Sequence, residues 1–314
     1  MAIPAALLPN LKVPVVAAPM LIASTPQLVI ETCRAGAVGT FPALNPRTSA
    51  EYEAWLDEIE AARGPTDAMF GVNLIVARIN ERLAEDLAIT VRRKVPLVIT
   101  SFGADREVVK AVHGYGGLVF HDAASARHVE IAAEAGVDGI ILLTHGAGGH
   151  TGYLNPFAFL ADARKRYDGA LLVAGALSTG RDIAAAIVAG ADLAYMGTRF
   201  LATPEANVQE GYRDMIVASG AGDVTATAAM SGTPAVFLNS SIAAAGIDPR
   251  ALHLRHPRIE AGPDGQPLKV WKEIWSAGQG VAGIDQVLPA AGLVTRLADE
   301  YRAALTGPFP LIGD

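Results

Sequence analysis

The chain has 314 residues, 51% of them hydrophobic, which is enough to bury a large core either as two ordinary domains or as one α/β barrel with an addition. A net charge of −7 excludes a general nucleic-acid surface, which needs a basic footprint. The single cysteine, Cys33, excludes an intrachain disulfide and fits a reducing compartment, and its setting in an amphipathic stretch points to helix packing.

The first twenty residues are apolar but broken by Pro4, Pro9, Lys12, Pro14 and Pro19, so they read as neither a signal segment nor a spanning helix. No later stretch reaches the roughly 18 uncharged apolar residues of a membrane helix. A soluble, cytoplasmic protein is expected.

From there a strand-then-helix beat runs along the chain. Val13–Ala18 reads as the first strand, followed by a helix over Pro26–Ala35. Ala37–Phe41 is the second strand, and its helix Ser49–Arg63 has Thr48 or Ser49 as N-cap and Gly64-Pro65 as stop. Met69–Leu74, Pro96–Thr100, Gly117–His121 and Gly139–Leu143 continue the strands, with helices at about 80–94, 104–113, 123–135 and 156–167. Ala170–Ala174 and Ala191–Met196 complete the series, with helices near 181–189 and 205–218.

Eight such beats, with no Asn-Gly hairpin signal between them, favour an α/β fold of the closed (β/α)8 TIM barrel type over an open doubly wound sheet. The expected organisation is a barrel over residues 1–219, a cap segment inserted after strand eight over 220–283, and a C-terminal helix over 284–314 that packs back on the barrel. The cap stretch is rich in Gly, Pro, Ser and Thr, a composition suited to lids and specificity elements.

The densest chemical signal is His145-Gly146-Ala147-Gly148-Gly149-His150-Thr151-Gly152, just past the sixth strand. Its glycines leave His150 standing in cleared space at a strand's carboxyl end, where ligands gather in α/β proteins, although a plain tight connection would read the same way. Two more glycine turns follow strands seven and eight, at Gly175-Ala176-Leu177-Ser178-Thr179-Gly180 and at Gly197-Thr198-Arg199. These are the positions of the common phosphate site of TIM barrels. Bare N–H groups, the hydroxyls of Ser178, Thr179 and Thr198, and a helix N-terminus can meet phosphate oxygens there. Arg199 suits either phosphate or a structural ion pair. At the first strand's end Ala18, Pro19 and Met20 leave room for a flat ring. Asn73 places an amide at the third strand's end, where it can contact ring heteroatoms or simply cap a loop.

Together these sites resemble the nitronate monooxygenase family, FMN-dependent TIM barrels once called 2-nitropropane dioxygenases. The resemblance is densest in AGGHTG (147–152), AGADLAYMGTRFLAT (189–203) and IWSAGQG (274–280), supported by AAPM and GVNL. It implies that His150 is catalytic and that Gly148 and Gly149 flank the flavin. It puts Gly175, Ala176, Gly197 and Thr198 at the phosphate, Asn73 and Met20 beside the ring, and Gln279 on a late loop returning to it. Two departures stand out. Asp122 follows His121 where well-known members carry a Lys, and Ala176 replaces the second residue of a common Gly-Gly pair.

The implied reaction is oxidation of alkyl nitronates, and of nitroalkanes, by FMN and dioxygen to a carbonyl compound and nitrite. The nearest alternative is an NAD(P)H-dependent flavin reductase of the quinone or enoyl-acyl-carrier-protein type. A different class is a barrel that binds flavin or phosphate compounds without catalysis. No metal site assembles from the sequence: His113, His121, His253 and His256 read as surface residues, and His253-x-x-His256 lacks a third zinc ligand. Trp271 and Trp275 suit either packing of the cap on the barrel or the substrate mouth. The expected partners are small molecules, with neither nucleic acid nor membrane, and a homo-oligomer is compatible with the sequence.

Overall fold

A computed structural model describes residues 2–307. Eight parallel strands form one sheet: β1 Val15–Ala17, β2 Gly39–Pro42, β3 Phe70–Ile75, β4 Leu97–Ser101, β5 Leu118–Ala123, β6 Gly139–Leu143, β7 Ala170–Ala174 and β8 Leu193–Met196. Each pairs with its neighbours in the ring, β1 joins β8 through Val16 opposite Tyr195, and the seam to β2 is made by Ala17 N–H donating to Val38 O at 2.8 Å. The molecule is thus the TIM-barrel-like α/β fold expected from the alternation.

Strands buried on both faces explain the continuous apolar runs, yet the pleat still divides them. Val16, Leu97, Ile99, Phe120, Ile141, Leu172 and Leu193 fill the barrel interior, closed at its amino end by Leu7. Their neighbours Val98, Val119, Ile140, Leu142, Leu171 and Val173 face the outer helices.

The helices begin where side-chain oxygens take up orphan N–H groups. Helix α1 (Pro26–Ala35) has Thr25 as N-cap and left-handed Gly36 as stop. In α2 (Ser49–Ala62) Thr48 and Glu51 form a reciprocal capping box. Helices α3 (Leu83–Arg92), α4 (Arg106–His113) and α5 (Ala126–Ala135) each start two or three residues later than their periodicity suggests. For α4 and α5 the cause is the caps, Asp105 and Ser125. Helices α6 (Pro156–Arg164) and α7 (Gly180–Val188) are capped by Asn155 and by Thr179 with Asp182.

After β8 the chain makes the short helix α8 (Thr198–Leu201) and then α9 (Glu210–Val217). The latter lies with the cap, its Tyr212 stacked on Trp275 at 5.0 Å and 8°. The cap itself carries antiparallel β9 (Val224–Thr227) and β10 (Ala235–Leu238), then α10 (Asn239–Ala244). The helix that fills the ring between α7 and α1 is the C-terminal α11 (Ala290–Thr306), which buries Leu293, Val294, Leu297 and Ala298 there. Gly180 permits this contact, because a Cβ at that position would lie 2.3 Å from Tyr301 N. Residues 308–314 of the expected C-terminal segment lie outside the described residues.

Among the described residues no helix is long and apolar enough to cross a membrane, and no group of three His, Cys, Asp or Glu side chains is arranged for a metal. Cys33 is buried, its Sγ donating to Met69 O, and burial pushes the thiol up to about 12.

Candidate active site

The carboxyl ends of the strands open into a cavity of about 1640 Å3, covered on one side by the cap. Ala18, Pro19, Met20, Asn73, Gly148, Gly149, His150, Gly175, Ala176, Gly197 and Thr198 all line it. Residues from five strand ends thereby meet in one space.

The glycine loop is zipped to the cap. Gly149 and His150 form a two-residue strand against Val236 and Ala235 of β10. Gly149 N–H donates to Ser276 Oγ at 2.7 Å, and Gln279 N–H donates to Gly146 O at 2.9 Å. A Cβ on Gly148 would sit 2.7 Å from Gly278 N, so that glycine admits the backbone of the late loop. Gly149 adopts φ +70° with no atom within 4 Å of its absent Cβ.

Gln279 lies apart from the others. Its side chain packs on Gly146 and faces a separate pocket of about 180 Å3 behind the glycine loop, while Gly278 and Gly280 on either side reach the large cavity. The cause is the 3-10 turn Gln279–Gly283, which points successive residues in different directions.

His150 sits between two rings, Phe102 edge-on at 5.3 Å and Trp271 tilted at 5.7 Å. Burial lowers its pKa below the ordinary value of 6.5, so the neutral imidazole predominates at pH 7. Among the described residues its ring nitrogens have no hydrogen-bond partner, which leaves one donor and one acceptor for a ligand.

Asn73 is fixed in orientation. Its Nδ2 donates to Ile99 O at 3.0 Å and to Ser101 Oγ at 2.8 Å, so toward a ligand it presents its carbonyl oxygen as acceptor. Ser101 Oγ donates onward to Asp122 Oδ2, and Asp122 Oδ1 is buried without a partner. Burial raises the Asp122 carboxyl to about 6. His121 beside it is 5% exposed, held by Thr100 Oγ1 at 2.8 Å, and burial lowers it to about 4. The surface reading of His121 is therefore corrected: it lies on a cavity wall. Ser101 and Phe102 also line the cavity and had no motif to mark them, their only signal being position at or just past the end of β4; Asp122, noted in the sequence as a departure from the family pattern, lines it too.

Around the turns after β7 and β8 the donors are fewer than the sequence suggested. Ser178 Oγ donates to Gly280 O, and Thr179 caps α7. Thr198 Oγ1 accepts from Gly278 N–H at 2.9 Å and keeps its own proton to donate. Arg199 is 2% exposed and donates to Gln286 O, away from the cavity, with Asp285 and Glu300 among the charges acting on it. What remains is Thr198 O–H, bare backbone and the start of α8, whose first N–H groups have no intrahelical acceptor. A large cavity bordered by two glycine turns and by the carbonyl oxygen of a partnered amide fits a flat phosphorylated ligand.

Ala176 occupies the left-handed region, φ 55°. That conformation costs an L-residue roughly 1–2 kcal/mol, partly offset by the greater chain entropy of glycine. Ala176→Gly is expected to stabilise the protein by roughly 0.5–1 kcal/mol in urea unfolding; a loss of stability would show that the alanine methyl makes a compensating contact.

Known proteins resemble this chain over nearly its whole length. The family model "Nitronate monooxygenase" matches residues 6–300. A nitronate monooxygenase of Paraburkholderia phytofirmans is 30% identical, covering 96% of this chain and 96% of that protein. The solved structure of a nitroalkane oxidase from Streptomyces ansochromogenes superposes with a TM-score of 0.80 at 26% identity, over 96% of this chain and 99% of that one. FabK from Thermotoga maritima shares the fold, with a TM-score of 0.78 at 22% identity over 95% of each chain.

Proposed function

The chain belongs to the nitronate monooxygenase family, an oxidoreductase group, and from that premise we propose that it oxidises alkyl nitronates and nitroalkanes with dioxygen at a bound FMN, yielding a carbonyl compound and nitrite. The observation that carries the reading is His150, an imidazole without a partner, held between two aromatic rings in the same cavity as the turns after β7 and β8. When bound, FMN supplies the electron acceptor and the site of reaction with oxygen.

The chain's own groups divide the remaining work. The turns at Gly175-Ala176 and Gly197-Thr198 would hold the phosphate with backbone N–H groups and the Thr198 hydroxyl. Ala18, Pro19 and Met20 would leave space for the ring, and Asn73 Oδ1 would accept from it. His150 takes the proton from the carbon next to the nitro group of a neutral substrate; for the anionic nitronate, already deprotonated, it donates a hydrogen bond to a nitro oxygen instead. Phe102 and Trp271 flank the imidazole and orient its plane, leaving it accessible between them. Asp122 places at the cavity wall a carboxyl that is part-protonated near pH 6.

The test is spectroscopic. The purified protein is expected to show oxidised-flavin absorbance, to release FMN on denaturation, and to bleach anaerobically with ethyl nitronate but not with NADH or NADPH. Bleaching by a nicotinamide alone would move the chain to the flavin reductases, and a colourless protein that takes up no FMN would end the reading.

A further inference from the structure

Resting on that reading, we infer that the substrate carries an extended apolar body, an alkyl chain or ring system running from His150 to the rim of the cavity, and is not a short nitroalkane alone.

Volume comes first. A single small-molecule site occupies about 300–1,000 Å3, and this cavity holds about 1640 Å3. Even a cofactor at the upper limit leaves roughly 600 Å3. A nitroalkane of two or three carbons displaces only a few waters of about 30 Å3 each.

Chemistry identifies what fills the remainder. Phe102 and Trp271, the rings on either side of His150, begin an apolar wall that continues through Leu21, Ile22 and Ile79. Ile79 is 90% exposed, Phe102 59% and Leu21 51%, values that place them among the most exposed large apolar side chains of the described residues. These come from separate loops, after β1, β3 and β4 and from the cap, and converge on one opening.

The backbone strengthens the argument. Ile22, Phe102 and Trp271 all sit in the left-handed region, with φ 66°, 62° and 70°. For a β-branched residue such as Ile22 that is an outlier, and strain of this kind persists only where surrounding bonds impose it. Here they do. Ile22 N–H donates to Asn45 Oδ1 at 2.9 Å, and Asn45 Nδ2 donates to Met20 O and Ser24 O. Asn80 Nδ2 donates to Ile75 O at 2.8 Å, bracing the turn that presents Ile79. Trp271 N–H donates to Ile274 O at 3.0 Å. The fold thus holds apolar side chains toward water at a cost in both strain and exposure, and an apolar substrate segment in contact with the imidazole offsets both.

The experiment compares the nitronates of nitroethane, nitropropane, nitrohexane and nitrooctane on the flavin-loaded enzyme, with calorimetric binding of the matching carboxylates as a readout independent of turnover. Burial of each added methylene is expected to raise kcat/KM and carboxylate affinity about 4-fold, the equivalent of about 0.8 kcal/mol, until the rim is covered. Ile79→Asp is expected to cut the octyl-over-ethyl preference about 10-fold; Ile79→Leu is expected to retain it. Rising carboxylate affinity without nitronate turnover would support the apolar channel while overturning the reaction assigned above. Active short nitronates with no dependence on chain length, in kcat/KM or in binding, would overturn this inference and leave the reaction intact. A dimer that Ile79→Asp dissociates, together with flat chain-length data, would show the rim to be a subunit contact and overturn it too.

Discussion

His150→Asn is expected to lower kcat/KM for a neutral nitroalkane by about 10²–10⁴-fold, the usual contribution of a positioned general base. Three imidazoles line the cavity, and two are committed elsewhere. His121 is buried against Thr100, and His128 Nδ1 accepts from Ala124 N–H. Of these three, His150 alone has neither ring nitrogen in a hydrogen bond. With a preformed nitronate the proton is already gone, so the variant loses a single hydrogen bond to a charged group, an effect of roughly 1.5–3 kcal/mol, or about 10- to 150-fold. The difference between the two substrates separates proton abstraction from simple binding. Burial lowers the pKa of His150, so the nitroalkane profile of the parent enzyme should rise with pH through a midpoint below 6.5, and the variant should lack that limb. Equal losses with both substrates, or an unchanged limb in the variant, would remove His150 from the role of base.

Asp122→Asn is expected to stabilise the protein by up to about 3 kcal/mol at pH 7.5 and by little near pH 4. The carboxyl titrates at about 6 in the folded protein against an ordinary value of 3.8, because burial penalises its charged form and Oδ1 has no partner. Folding therefore favours its proton uptake, and as pH rises from about 4 to 6 the native state loses stability relative to the unfolded chain. His121 acts in the opposite sense. Buried and pushed down to about 4, it stays neutral in the folded protein while the unfolded chain protonates at 6.5. Its contribution is complete above pH 6.5 and is lost as pH falls toward 4, again on the scale of about 3 kcal/mol. The two neighbours thus oppose each other across the same window, and the parent protein shows little net slope from this pair. Removing the carboxylate unmasks the histidine. Denaturant unfolding of both proteins from pH 4 to 8 measures the difference directly; an advantage of the variant that does not change with pH would refute the linkage.

Much of the architecture could be read in advance because its causes are local. Buried parallel strands appear as apolar runs bounded by Gly or Pro, and Thr25-Pro26 with Gly36 marks both ends of α1 without reference to any other part of the chain. The glycine loop and its histidine were equally visible. The outer helix between α7 and α1 was not, since α9 and α11 are both amphipathic and nothing in either states which partner it meets. Gly180, whose hydrogen atom admits the α11 backbone, carries that information only once the two helices are in contact. His121 reads as an ordinary polar residue in sequence; the pleat turns it, like Val119 and Ala123, toward the surrounding helices, where it bonds Thr100 and still borders the cavity.

The sequence alone determined the barrel rhythm and the family, for these depend on periodicity, caps and motifs spanning a few neighbours. Only the tertiary structure decided that Asn73, Ser101 and Asp122 form one relay, that Gln279 turns from the cavity, and that Phe102 and Trp271 flank His150. The physical reason is register: those contacts are set by how distant strand ends and the cap come level with one another, and no short stretch of chain encodes that alignment by itself.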